Sequence, residues 1–471
     1  MNTKGLIKNI FRVITGHGFK LVMGFAVGFL LPIILSIEDF GYYRLFALYL
    51  SYLGIFHLGF IDGIYLKYVG YTIDEIVKDG FGFLWKCFLV LESIFTVGLF
   101  ILSIVFFKGE RQIVFLFLSI NPLPINITSL FQYISQITSR FKEFSNRNVI
   151  YSTLVSLSIL AMYLFSLDNY IIYLILFTFV NYIVVIWYLF TYRELIRSKA
   201  PLARESIFRT INLIKLGAPL LITNFIVIFI LNVPKQVIDY FYSIEVFAIF
   251  SFSFGMLSLI SLFIGAIGTV MYPTLFSLSK KLLREYYQIF NAIISSVTAL
   301  FLATFFAIDI IVTTYLIKYS ESISILSIIF PLLLFSSTIN IIKINYYKVL
   351  KKLKKFFIAS FSTIVFTIIS CLAAYMIFGT VHAVAYATLF SVAIWGFLLD
   401  LFLGNNVNQS IIKNNAFQVI IIIMFYLIIN INIGFFISFI LYFFISVAVI
   451  GIFYGNDIYK FIKNIYKRKE F

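Results

Sequence analysis

The stretch "SIEDFGYY" occupies Ser36–Tyr43, and "SIEVFAIF" occupies Ser243–Phe250, an offset of 207 residues. The two copies share Ser-Ile-Glu in the first three places and Phe in the fifth. Each lies between two long apolar runs, so the fold turns on what those runs are. Hydrophobic residues make up 62% of the 471, charged residues 12%, and the mean hydropathy is +1.03. Soluble chains run nearer half apolar and a quarter charged. Apolar runs of about twenty residues recur along the chain, as membrane-spanning helices require. The short alternating segments of an outer-membrane barrel do not dominate. The expectation is an all-α integral membrane protein.

Spans are expected near residues 11–36, 44–66, 82–107, 112–138, 147–166 and 170–192. After a polar gap come 210–231, 246–272, 286–309, 322–345, 356–378 and 383–403, and two more near 416–430 and 432–453. The count is fourteen transmembrane helices. The positive-inside rule tests it. With the N-terminus in the cytoplasm, twenty-nine Lys and Arg fall in inside segments, Arg147 and Lys343 among them. Only Arg44, Lys108, Arg111, Lys235 and Lys318 fall outside, with Lys20 and Lys86 within spans. Both termini are therefore expected in the cytoplasm. The net charge of +16 is explained by topology, and no aromatic-basic interleaving points to nucleic acid. The first apolar run is longer than a signal-peptide core and lacks a small-residue cleavage site, so it reads as a mature helix.

The repeat organises this count. Its offset covers six helices and a linker, and six is even, so both copies enter the membrane in the same direction. Parallel repeats of this kind make transporters whose substrate lies between the halves. The expected organisation is a six-helix lobe over 1–196, a second over 197–409, and two extra helices with a basic tail over 410–471. Each motif is read as the external turn between the first two helices of its half, Asp39-Phe40-Gly41 making a tight exit.

The stretch "LSIEDFGYYRLFALYLSYLGIFHLGFIDGIYLKYVG" (Leu35–Gly70) resembles the N-terminal signature of polysaccharide-type flippases in the multidrug/oligosaccharidyl-lipid/polysaccharide exporter superfamily. Leu35, Phe40, Gly41, Tyr43, Leu58, Gly59 and Lys67 fit that signature. "IKLGAPLLITN" (Ile214–Asn224) resembles its seventh-helix entry and "MYPTLFSLSK" (Met271–Lys280) its eighth-helix exit. Two positions depart: Ser36 replaces a common Gly, and Pro234-Lys235 stands where Asp-Arg is frequent. The resemblance implies a flippase for oligosaccharide units carried on undecaprenyl pyrophosphate, in the bacterial cytoplasmic membrane. The cargo would be O-antigen, capsule or another surface polysaccharide. It implies contact with membrane lipids, a polysaccharide polymerase and a chain-length regulator as partners, and a monomeric chain.

Polar residues inside spans carry the functional reading, since a charged side chain costs about 2.5–3.5 kcal/mol at a helix centre. The first span holds His17, Lys20, Gly24, Gly28 and Pro32 on one face. Gly24-x-x-x-Gly28 alone is more often a packing motif, but Lys20 lies too deep to snorkel easily and is expected to face a water-filled cavity. Glu92 in the third span either pairs with Lys20 or binds a coupling ion, H⁺ or Na⁺, with Asp62 as a second candidate. Asn121-Pro122-Leu123-Pro124 should kink the fourth span, and Thr128, Gln132 and Gln136 form a stripe beyond it. The substrate-binding set is Lys20, His17, Arg44, Lys67, Gln132, Lys215, Asn224 and Lys235. Arg44, Lys67, Lys215 and Lys235 are close enough to interfaces that snorkelling explains them equally.

Catalysis is not expected. No Walker A sequence occurs, His17, His57 and His382 lack metal-ligand spacing, and no loop accommodates an external catalytic domain. No cofactor is expected beyond a coupling ion. Cys87 and Cys371 lie far apart in apolar runs and read as packing residues. The alternative is a cation-coupled multidrug exporter of the same superfamily. That activity would want an acid in the first span, where Ile10–Ile37 has none and Lys20 repels cations.

Overall fold

The computed structural model describes residues 18–198, 203–276, 278–404, 408–431 and 433–468. Among them every regular element is helical. Eleven helices are long and apolar enough to cross a membrane, two bent pairs raise the number to thirteen, and the shorter apolar helix Gly18–Ile34 is a fourteenth segment. In chain order these are α1 (Gly18–Ile34), α2 (Ile37–His57 bent by 58° into Phe60–Tyr68), α3 (Phe81–Phe106) and α4 (Gly109–Ile137). Next come α5 (Phe141–Leu164), α6 (Tyr170–Thr191), α7 (Ile207–Phe241), α8 (Ile244–Ile264) and α9 (Lys281–Tyr315). The set closes with α10 (Ser322–Ile329 bent by 44° into Leu332–Val349), α11 (Leu353–Phe378), α12 (Val381–Leu403), α13 (Ile412–Asn430) and α14 (Phe435–Tyr459). Each expected span has its helix.

The chain forms two compact units, one of Met1–Ile228 with Ser243–Ala248, the other of Phe229–Tyr242 with Ile249–Phe471. In the first unit, α3 shows how a membrane helix sorts its faces. Val90, Ile94, Val97, Ile101 and Val105 are exposed at helical spacing, while Phe81, Leu84, Trp85, Phe88 and Glu92 are buried. The buried face joins Phe60 of α2, Phe131 of α4, and Tyr188 and Tyr192 at the end of α6. Phe131 stacks on Tyr192 and Trp85 lies against Phe131.

The repeated motif corrects the expected turn. Ser36 is the N-cap of α2: its Oγ accepts from the Asp39 amide at 3.0 Å, so Glu38 and Asp39 occupy the first helical turn rather than a loop. In the second copy the Ser243 Oγ accepts from Val246 N at 3.5 Å, ahead of α8. The copies also meet. A Cβ on Gly41 would lie 2.6 Å from the Ile244 carbonyl oxygen, so Gly41 serves a close approach rather than a turn.

The bend of α2 has a similar cause. Leu58 and Gly59 take left-handed conformations there. Beyond the bend α2 crosses α7 at backbone distance: a Cβ on Gly217 would lie 2.0 Å from Gly59 O and 2.3 Å from Gly63 N.

In the second unit, α9, α10, α13 and α14 share an aromatic cluster in which Phe305 and Phe330 pack on Phe425, and Tyr442 packs on Phe306 and Phe425. The Tyr442 hydroxyl donates to Ala299 O at 2.9 Å. Tyr454 donates to Asn414 at 2.8 Å, and Lys413 pairs with Asp457 at 2.7 Å, joining α13 to α14.

Candidate functional site

One group of polar side chains in the first unit lies on α5, which packs against both α1 and α4. Helix α1 packs against α5, placing Lys20 within electrostatic range of Arg147. The Arg147 guanidinium lies 4.7 Å over the Tyr151 ring and its Nη1 donates to Asn148 Oδ1 at 3.2 Å. Gln132 Nε2, from α4, donates to the same Asn148 oxygen at 3.4 Å. Lys20 and Gln132 thus belong to one cluster, and Arg147 and Asn148 join it.

Arg147 is not the interfacial charge the sequence suggested. It lies six residues inside α5, about 9 Å along the helix. Below it Asn148, Ser152 and Ser156 repeat every fourth residue on one face. The Arg147 Nε, Asn148 Nδ2, Ser152 Oγ and Ser156 Oγ are all buried with no hydrogen-bond partner among the described residues. Leaving a buried donor unmatched costs about 1–3 kcal/mol. Lys20 and Arg147 form no ion pair with a carboxylate among the described residues. The cluster combines two cations with buried donors that have no partner among the described residues.

Glu92 does not pair with Lys20. It is fully buried on α3, and its Oε2 accepts from Asn126 Nδ2 at 2.9 Å. Asp62 is buried beyond the α2 bend and faces His57 Nε2 at 3.8 Å, while His57 Nδ1 accepts from Gly59 N. In α4 the helix breaks at Ile120–Asn121 and restarts at Pro122. Asn121 there donates to Phe117 O and to Thr178 of α6.

The remaining candidates stand apart. Lys67 donates to Asp79 at 2.7 Å. Arg44 is half-buried, its guanidinium 4.9 Å from the Phe40 ring. Lys215 and Asn224 are exposed on α7. Lys235, in the second unit, donates to Asn232 at 3.1 Å and lies 4.9 Å from the Phe254 ring. His17 lies outside the described residues. The second unit holds a buried pair the sequence reading counted as a loop charge: Lys343, 3% exposed, lies 2.9 Å from Asp400.

The lipid II flippase MurJ in an inward closed conformation superposes with a TM-score of 0.71 at 16% identity, covering 96% of this chain and 100% of MurJ. An inward-facing multidrug resistance MATE family transporter of the MOP superfamily gives 0.56 at 13%, covering 86% of this chain and 94% of its own. A MATE structure in complex with MaL6 gives 0.55 at 12%, covering 89% and 96%. The chain shares the fold of these MurJ and MATE structures. At these identities the likeness is one of fold. No family model matches the sequence, and no curated protein matches it. The cluster on α1, α4 and α5 is cationic and holds buried donors without partners among the described residues.

Proposed function

We propose that this chain is a flippase for oligosaccharides linked to a polyprenyl pyrophosphate, moving them across the bacterial cytoplasmic membrane by alternating access. The carrying observation is the set of buried donors on α5 beside two cations, Lys20 and Arg147, that have no carboxylate partner among the described residues. A pyrophosphate supplies the negative charge that these side chains lack, and charge-assisted hydrogen bonds to phosphate are among the strong ones. Sugar hydroxyls supply acceptors for Asn148, Ser152 and Ser156. The prenyl tail stays in the bilayer, so only the head group needs a polar route. MurJ, which has the highest TM-score of the three structures compared, is a flippase named for lipid II. Capsule or O-antigen units are the proposed cargo, with a polymerase and a chain-length regulator acting on the product. The charge asymmetry of the sequence supports cytoplasmic termini.

The test uses proteoliposomes containing the purified chain and either a fluorescent polyprenyl-pyrophosphate oligosaccharide or a lipophilic cationic dye. Accelerated exposure of the anionic lipid in the opposite leaflet, with no dye movement, supports the flippase. Dye movement without lipid flipping would replace it with the multidrug exporter.

A further inference from the structure

The two units treat buried charge differently. In the second, Lys343 and Asp400 neutralise one another. In the first, Glu92 has no cation within ion-pair distance among the described residues, although it is 0% exposed. It lies eleven residues from the start of α3, about 16 Å along a helix that spans the membrane. Asn126 Nδ2 spends one hydrogen on Glu92 Oε2 at 2.9 Å and the other on the Leu53 carbonyl at 3.1 Å. The amide then has no donor left. Glu92 Oε1 and Asn126 Oδ1 remain as buried acceptor oxygens without a donor among the described residues. Two acceptors in one buried pair need a hydrogen between them and their surroundings.

We infer that Glu92 is a proton-binding site, held as the neutral carboxylic acid in this conformation, with Asn126 as its positioning residue. A proton supplies the donor that the pair lacks and removes the penalty of an isolated buried carboxylate. A metal ion fits less well, since hard cations gather on the order of six oxygens, and no group of three His, Cys, Asp or Glu that could hold one occurs among the described residues.

The other titratable groups on neighbouring elements are engaged or remote. On α2, His57 and Asp62 face each other at 3.8 Å. On α4, Tyr133 lies seven residues beyond Asn126, and Glu110 and Arg111 begin the helix. Asp74, Glu75 and Lys78 of the short Ile73–Lys78 helix, and Arg193 and Glu194 after α6, lie at helix ends. On α3 itself, Lys86 and Cys87 precede Glu92 by five residues or more. If the chain transports as proposed above, this proton is the one available for exchange with the cargo; its assignment to Glu92 does not depend on what the cargo is.

Infrared difference spectroscopy on the purified full-length chain in lipid tests this without any substrate. The wild-type minus Glu92→Gln spectrum should show a protonated-carboxyl band at neutral pH in sodium-free buffer. That band should vanish on alkaline titration and ignore added NaCl. Glu92→Asp should keep the band at a shifted frequency, and it reads the same group should Glu92→Gln fail to fold. Absence of the band from both difference spectra at neutral pH would overturn the inference. Its loss on adding NaCl at fixed pH would also overturn it, in favour of a sodium site.

Discussion

The Lys343 ammonium lies 2.9 Å from Asp400 Oδ2, and each charge has a second partner in the same buried cluster. Lys343 also donates to the Gly396 carbonyl at 2.7 Å, and Tyr287 donates to Asp400 Oδ1 at 2.5 Å. Both side chains are almost wholly buried. Lys20 and Arg147 have no such carboxylate partner among the described residues.

Removing one partner should therefore be costly. Lys343→Met strands the Asp400 carboxylate and is expected to destabilise the chain by about 3–5 kcal/mol, whereas Lys343→Met with Asp400→Leu should recover most of the loss. Thermal unfolding in detergent measures both. A single variant no less stable than the double would contradict the assignment.

Asp79 sets a pH dependence. Burial pushes its carboxyl up, but hydrogen bonds from Lys67 and Tyr68 and the charges of Lys67 and Arg209 outweigh this and hold it below the usual carboxylate range. A depressed folded-state value means stability that is present in full above the unfolded value of about 4 and lost as pH falls through the folded one. Wild type should thus exceed Asp79→Asn in unfolding temperature at neutral pH, and the gap should close on acidification below about pH 4. A gap that widened towards low pH would reverse the sign and refute the ion cluster.

The α2–α7 crossing predicts sensitivity at Gly217. Because the atoms met by a Cβ are backbone, Gly217→Ala should cost about 1–3 kcal/mol or more. Gly98 of α3, where a Cβ meets nothing within 4 Å, is the control, and Gly98→Ala should be neutral or stabilising. Unfolding curves of the two variants decide this, and equal stability would contradict the close crossing.

Hydropathy alone placed the helices, because a span needs about twenty apolar residues wherever it packs. It misjudged the charges near span ends. Arg147 and Lys343 each sit several residues inside a helix, yet a hydropathy window cannot tell a snorkelling side chain from one facing inward. The deciding information for Lys343 is Asp400, 57 residues away on α12. For Arg147 a local signal was present, since Asn148, Ser152 and Ser156 follow it at helical spacing. The motif at Ser36 was likewise legible as a cap, a Ser with an acid three residues on, but the flanking apolar runs favoured a turn. The left-handed pair Leu58–Gly59 that bends α2 is a matter of backbone conformation and left only its glycine in the sequence.

Binding of a polyprenyl pyrophosphate to the Lys20–Arg147 cluster tests the central claim most directly. Affinity of the purified chain for a water-dispersible prenyl pyrophosphate should be compared with that for the uncharged prenyl alcohol, in wild type, Lys20→Gln, Arg147→Gln and the double variant. A hydrogen bond to a charged group is worth about 1.5–3 kcal/mol, so each single variant should weaken pyrophosphate binding by roughly 10- to 100-fold. The double variant should bind both lipids alike. Retention of wild-type pyrophosphate affinity by the folded double variant would contradict the account.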